Sequence, residues 1–236
     1  MRNAMGIPVY QYDTIIEVQK EGVCDSSEIN ALAAIEAQLK NDEKIRSLLI
    51  SETCIKNRTA ALAGDIVRDM NHSNHIDIMM VLTGSFMFTA DLARALYAQG
   101  GINTSIHCIK TSVYDETIKS SGEHYRAVTL ELSPKNIEAR DIVLVEDIAD
   151  QGFTLSWLKN YLLYERNARS LKICSLLYKR LDNPTREVQT IRKQLGIDYI
   201  GFTVPDVWVA GYGIDAAYQY RHLPFIVWIN ETCFQS

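Results

Sequence analysis

The chain has 236 residues, 47% of them apolar and 22% charged, with a net charge of −5 at pH 7. This length buries one full core with room for a small appendage, and the acidic balance gives no surface built for nucleic acid or anionic membrane. No window has the length and apolarity of a spanning helix, Met1-Arg2-Asn3-Ala4-Met5 lacks the apolar core of a signal peptide, and the odd cysteine count without a C-x-x-C pair argues against structural zinc and a disulfide framework, so reduced thiols in a cytosolic protein are the default.

Residues 1–24 show no period. Asp25-Ser26-Ser27-Glu28 reads as a helix start, Asp25 as cap and Glu28 three residues on, for a helix carrying Ile29, Leu32, Ile35 and Leu39. Ser51 opens a second helix, with Ile55, Leu62, Ile66, Val67 and Met70 at helical spacing. Ile76 to Leu82 reads as a strand ending at Thr83-Gly84-Ser85. Ala90 to Ala98 reads as a helix closed by Gly100-Gly101, and Thr104 to Ile109 as a strand. Residues 112–124 are polar and read as a long loop of the kind that forms active-site lids.

Tyr125 to Leu132 alternates like a half-exposed strand. Ile142 to Val145 is unbroken by polar residues, which suits a sheet buried on both faces. Thr154 begins a helix, Leu171 to Tyr178 is a further buried strand, and Cys108 and Cys174 read as core residues within strands. Glu187 to Leu195 is a short helix; Tyr199 to Val204, Val207 to Ala210 and Phe225 to Ile229 are short strands. Strands alternating with helices predict an α/β fold with a mostly parallel sheet flanked by helices. Ligands of such sheets bind beyond the carboxyl ends of the strands, where Gly84-Ser85, the segment from Asp147 to Thr154, and Lys179 all fall.

The chemistry concentrates between Val143 and Leu155. An apolar run ends in the carboxylates Glu146, Asp147 and Asp150, followed by a turn with Gly152 and a helix opened by Thr154. Clustered like charges cost stability unless a cation or hydroxyls occupy them. Carboxylates at a strand end bind vicinal sugar hydroxyls or metal-bound water, and free N–H groups at a helix start hold phosphate. Side by side, they suit a ligand with both a sugar and a phosphate. A Walker loop is a different object, since it needs G-x-x-x-x-G-K-[ST], and this turn has one glycine and no lysine.

Val143-Leu144-Val145-Glu146-Asp147-Ile148-Ala149-Asp150-Gln151-Gly152-Phe153-Thr154-Leu155 resembles the phosphoribosyl-pyrophosphate motif of type I phosphoribosyltransferases. Val81-Leu82-Thr83-Gly84-Ser85-Phe86-Met87-Phe88, Ser175-Leu176-Leu177-Tyr178-Lys179-Arg180, Tyr199-Ile200-Gly201-Phe202, Pro205-Asp206, Gly211-Tyr212-Gly213-Ile214-Asp215 and Tyr220-Arg221-His222-Leu223-Pro224 narrow the likeness to the hypoxanthine-guanine branch. The pieces stand in family order from about Leu49 to the C-terminus. The resemblance implies a phosphoribosyltransferase domain over 49–236 with a small hood from the chain's N- and C-terminal parts. It leaves 1–48 as an N-terminal extension with one helix and no assigned role.

The implied activity is purine salvage. The 5-phosphoribosyl group passes from phosphoribosyl pyrophosphate to N9 of hypoxanthine or guanine, giving IMP or GMP and pyrophosphate, with magnesium as cofactor. The implied protein is a cytoplasmic homodimer or homotetramer that binds small-molecule substrates and neither nucleic acid nor membrane. Two other readings fit the same motifs: a non-catalytic regulator that binds phosphoribosyl pyrophosphate, and a xanthine-preferring enzyme. Against the regulator, Asp150, Lys179, Trp208, Asp215 and Arg221 are all present, a sensor needs no base pocket, and the extension lacks a basic helix-turn-helix pattern.

By the same resemblance, Glu146 and Asp147 hold the ribose 2′- and 3′-hydroxyls and lie beside magnesium. Asp150 faces purine N7 as general base, and Ala149, Gln151, Gly152, Phe153 and Thr154 form the phosphate turn. Thr83, Gly84 and Ser85 match the pyrophosphate loop, where a cis peptide bond is frequent in the family. Arg221 matches a C-terminal pyrophosphate arginine, and Asp215, beside the base site, an acid that holds a second magnesium through water. Lys179 donates to purine O6; adenine presents an amino group there and would meet it donor to donor. Trp208 stacks on the base and Val209 offers backbone groups to its edge. Ser112 and Tyr114 stand for the Ser-Tyr of the mobile lid. Read without the family, Lys179 is a snorkelling strand-end lysine and Trp208 a core residue. Three positions depart from the family pattern: Thr83 replaces a Lys or Arg, Gln151 replaces a Thr or Ser, and the lid serine is displaced from Tyr114.

Overall fold

The computed structural model describes residues 16–19, 22, 29–116 and 125–234. In chain order the elements are β1 (Ile16–Glu17), α1 (Ile29–Leu39), β2 (Ile45–Ile50), α2 (Glu52–Asp69), β3 (His75–Leu82), α3 (Phe86–Gly100), β4 (Asn103–Glu116) and β5 (Tyr125–Leu132). They continue with β6 (Asp141–Ala149), α4 (Phe153–Asn160), β7 (Ser170–Lys179), α5 (Arg186–Leu195), β8 (Tyr199–Val204), β9 (Val209–Ala210) and β10 (Ile226–Ile229). A 3-10 turn over Glu231–Phe234 follows.

The main sheet runs β1-β8-β7-β6-β3-β4-β5, parallel except for β5, which pairs antiparallel with β4. On β6, Val143 and Val145 pack with Ile55, Leu62 and Leu92 of α2 and α3. Its alternate residues Ile142 and Leu144 pack with Leu155 and Leu158 of α4. Helices thus cover both faces, which is why this strand reads as a continuous apolar run. Ser51 caps α2, accepting a hydrogen bond from the Cys54 N–H. The hood is a second, antiparallel sheet, β2-β10-β9, with Leu39, Phe225, Val227 and Ile229 in its core.

The architecture matches the expected α/β fold with a hood, and several boundaries differ. The acids Glu146 and Asp147 lie inside β6, which runs on to Ala149. Residues 112–116, expected in a loop, form the far end of β4, with Ser112 opposite Thr129 and Tyr114 opposite Ala127. The run Thr111-Ser112-Val113-Tyr114 is rich in strand-favouring side chains, and the remainder, 117–124, lies outside the described residues. The helix cap expected at Asp25 lies outside them too. The division expected between 48 and 49 falls within β2. Cys174 is buried as expected; Cys108, near the sheet edge, is only half-buried.

β1 has no counterpart in the expected elements. It pairs with β8 through Ile16 and Phe202, Ile16 and Val18 are buried, and Arg180 donates to the Val18 carbonyl at 2.9 Å.

Asp141, the first residue of β6, is buried and accepts from Arg169 Nε at 2.8 Å, from Ser170 Oγ at 2.7 Å and from Ser73 Oγ. The Arg169 guanidinium, aided by the two hydroxyls, holds this carboxyl well below the usual carboxylate range. Such a group contributes stability above its unfolded pKa, and the contribution is lost as pH falls through the folded value. Asp141→Asn is therefore expected to cost about 1.5 kcal/mol at neutral pH, the low end for a charged hydrogen bond because Arg169 is solvent-exposed. The thermal midpoint should fall by about 3–6 °C, and the gap to the parent should close in acid. Thermal scans across pH check this; equal midpoints at neutral pH would contradict it.

Candidate active site

The carboxyl end of β6 and the start of α4 enclose a cavity of about 390 Å³, lined by Glu146 and every residue from Ile148 to Leu155. Gly152 turns the chain with a φ of 88°, a left-handed conformation that favours glycine. Phe153, Thr154 and Leu155, the first residues of α4, line the cavity, and a helix start is where an anion is held. Asp147 is buried beside Glu146, and the two carboxyls interact directly. A Cβ on Gly84 would come within 1.6 Å of Asp147 Oδ2, so the loop after β3 lies directly on this carboxylate.

Both acids sit in a poor solvent for charge. Burial, then the charge of Asp147, raises the Glu146 carboxyl well above its usual range; burial raises Asp147 as well. Each turns back on the main chain: Glu146 Oε1 accepts from the Asp147 N–H at 3.1 Å, and Asp147 Oδ1 from the Ile148 N–H at 2.7 Å. Acids held this way destabilise the ligand-free protein, which is how a site waiting for hydroxyls or a cation behaves.

A raised folded pKa means that the penalty grows as pH rises from the unfolded value through the folded one. Glu146→Gln is thus expected to raise the ligand-free thermal midpoint by about 2–4 °C, equivalent to ~1 kcal/mol, and by more at pH 8 than at pH 5. Binding of phosphoribosyl pyrophosphate should weaken in the same variant. A lower midpoint at pH 8 would contradict the charge penalty.

On the Asp147 side, the Leu82–Thr83 peptide bond is cis. Ser85 caps α3, but its hydroxyl is buried and donates to the Val81 carbonyl at 2.5 Å. Its offering to an anion is therefore backbone in this conformation. The hood reaches the same place. A Cβ on Gly213 would lie 2.1 Å from the Gly84 carbonyl. Arg221 donates to the Gly213 carbonyl at 2.6 Å and pairs with Asp215 at 2.7 Å. Asp215 also accepts from the Tyr218 N–H at 2.8 Å.

Beyond Asp150 lies a second cavity of about 340 Å³, lined by Lys179, Asp206, Val207, Trp208, Glu231 and Phe234. Lys179 Nζ stands 3.2 Å from Asp150 Oδ2 and 3.8 Å from Asp206 Oδ1. Trp208 packs edge-on against Phe234, ring centroids 4.9 Å apart. Val209 is buried in β9, the edge strand of the hood, so one side of its backbone has no strand partner among the described residues.

The structure thus gathers Glu146, Asp147, Asp150, the turn from Ala149 to Thr154, Lys179 and Trp208, with Gly84 against Asp147 and the Arg221–Asp215 pair near by. Ser112 and Tyr114 are placed only by their backbone in β4. Ile148, Asp206, Glu231 and Phe234 were not among the expected site residues. Only Asp206 lies in a motif as an acid, and the last turn of the chain carries no motif. Among the described residues, no group of three or more His, Cys, Asp or Glu side chains could hold a metal by itself, and no helix is long and apolar enough to cross a membrane.

Residues 52–217 match the phosphoribosyl transferase domain. The hypoxanthine-guanine phosphoribosyltransferase of Dictyostelium discoideum is 33% identical over 191 residues, covering 81% of this chain and 99% of that protein. The Bacillus subtilis hypoxanthine-guanine phosphoribosyltransferase is 34% identical, covering 84% and 99%. The crystal structure of the L. donovani hypoxanthine-guanine phosphoribosyl transferase aligns with a TM-score of 0.68 at 31% identity, covering 81% of this chain and 100% of that one. The chain belongs to the hypoxanthine-guanine phosphoribosyltransferase family.

In this phosphoribosyltransferase the domain match leaves out β1, α1, β2 and β10, although three of them are strands of its two sheets. Gln151, exposed at the tip of the turn, brings more torsions to order than a threonine would. Gln151→Thr is expected to lower the KM for phosphoribosyl pyrophosphate ~10-fold, as a charge-assisted bond of about 1.5 kcal/mol is regained, with the KM for the base moving less. Titrating the sugar diphosphate at saturating base checks this; a rise in KM would show that Gln151 makes an adapted contact of its own.

Proposed function

We propose that this phosphoribosyltransferase salvages 6-oxopurines, moving 5-phosphoribosyl from phosphoribosyl pyrophosphate to N9 of hypoxanthine or guanine. The observation that carries the reading is the Asp150–Lys179 pair, 3.2 Å apart at the neck between the two cavities. A 6-oxopurine carries O6 and N7 side by side on one edge. Lys179 would donate to O6 while Asp150 holds the N7 proton, and Trp208 would cover a face of the ring. N9 then attacks the anomeric carbon as the bond to pyrophosphate breaks, through a transition state with oxocarbenium character.

The turn from Ala149 to Thr154 would hold the phosphate, with Glu146 and Asp147 on the ribose hydroxyls. Thr83 and Gly84, the Ser85 backbone and Arg221 would face pyrophosphate. Magnesium suits this donor set. Its sites keep several waters and combine one or two carboxylates with substrate phosphates, and buried Glu146 and Asp147 are hard oxygen donors of that kind. When bound it would neutralise the leaving pyrophosphate. Family likeness supports a cytosolic homodimer or homotetramer, which light scattering on the eluting protein would measure.

Pyrophosphate release tests the reaction. Release should require phosphoribosyl pyrophosphate together with hypoxanthine or guanine, and should stop when a chelator removes magnesium. Release that ignores the base would contradict transfer to a purine.

A further inference from the structure

We infer that Arg192 is a positioning residue that sets the spacing of Asp150 and Lys179, an inference that rests on the reaction proposed above. The β6–β7 ladder ends at the pair Ala149 and Tyr178. Asp150 lies just past the end of β6, and Lys179, though paired with Val204 of β8, has no partner on the β6 side. Arg192 spans that gap. Its Nη1 donates to the Asp150 carbonyl at 2.8 Å and its Nη2 to the Lys179 carbonyl at 2.7 Å. Its Nε donates to the Tyr178 hydroxyl at 3.1 Å, and the guanidinium lies 4.0 Å from the centroid of the same ring. One planar cation thus holds the main chain of both residues whose side chains form the ion pair.

The element that carries Arg192 is anchored at both sides. Around Gly152, a Cβ would meet Leu195, Arg192 and Ile191 of α5 at 3.4–3.5 Å, so the helix packs against the phosphate turn. Lys159 of α4 donates to the Leu195 carbonyl at 2.6 Å. A rigid fork with several donors in one plane can serve two carbonyls at once, which a lysine ammonium on a flexible stem does poorly. Arg192 is not itself among the residues that line either cavity, and in the proposed pose it does not reach the purine. Its effect reaches chemistry through the distance between a proton acceptor and a donor that must meet adjacent atoms of one ring.

The test compares Arg192→Met, Arg192→Lys and Tyr178→Phe with the parent in steady-state assays on hypoxanthine, guanine and adenine, with thermal midpoints measured alongside. Arg192→Met should lower kcat about 10–100-fold, the scale of a small misplacement of reacting groups. It should narrow the preference for 6-oxopurines over adenine while the KM for phosphoribosyl pyrophosphate stays within about twofold. Arg192→Lys should fall between it and the parent, because one carbonyl contact survives, and Tyr178→Phe should shift kcat the same way by a smaller factor. If Arg192→Met does not fold, the other two variants carry the test. A parent with no turnover would overturn the underlying reaction. An active parent matched by folded variants in kcat and base preference, or variants that lose only sugar-diphosphate affinity, would overturn the role of Arg192 alone.

Discussion

Asp150→Asn is expected to lower kcat with hypoxanthine or guanine by about 10²–10⁴-fold, the range for a positioned acid or base, while binding of phosphoribosyl pyrophosphate stays near the parent value. The substitution preserves shape and the main-chain carbonyl that Arg192 holds. It removes the charge that Lys179 meets at 3.2 Å and the group that can hold a proton at N7. The sugar and phosphate contacts come from other residues of the turn, so they should survive. Steady-state kinetics paired with calorimetric titration of the sugar diphosphate separates the two effects. Weakened binding with kcat retained would assign Asp150 to the ribose and one of Glu146 or Asp147 to the base.

Lys179→Met is expected to raise the KM for 6-oxopurines about 10–150-fold, because a charged hydrogen bond of about 1.5–3 kcal/mol is lost. Most of the Lys179 side chain is buried, only 14% of its surface being exposed, so water cannot replace it freely as donor. The gap to adenine should narrow from both ends: the oxopurines lose a partner, and the adenine amino group loses a donor facing it. Methionine keeps the apolar stem in place, which separates this effect from packing. Base preference measured as kcat/KM ratios checks it. An unchanged preference would return Lys179 to a strand-end lysine with no role in selection.

Much of this was legible in the sequence because hydrophobic runs dominate it. The buried strands β3, β6 and β7 are predominantly apolar, and Ser51 and Gly101 mark the start of α2 and the end of α3. The three acids and Gly152 announced the ligand turn by charge alone. β1 was illegible because two paired residues have no period to show. Glu146 and Asp147 were legible as acids, but their place inside a strand was not, since it depends on β6 continuing past Val145 through polar residues. Ser85 carries a hydroxyl in the right motif, yet its torsion sends it to the Val81 carbonyl, which no motif encodes. Arg192 was hidden for a related reason. Its partners are main-chain carbonyls, and basic residues late in a helix read as solvated and dipole-complementing.

The most direct measurement is the nucleoside monophosphate formed from hypoxanthine, guanine, xanthine and adenine, each supplied with phosphoribosyl pyrophosphate and magnesium. Product from hypoxanthine, guanine or both, with adenine far poorer, is the expected result. Binding of the sugar diphosphate without product from any base would contradict catalysis and make the chain a sensor, and product from adenine at a comparable rate would contradict the assignment of Lys179 to O6.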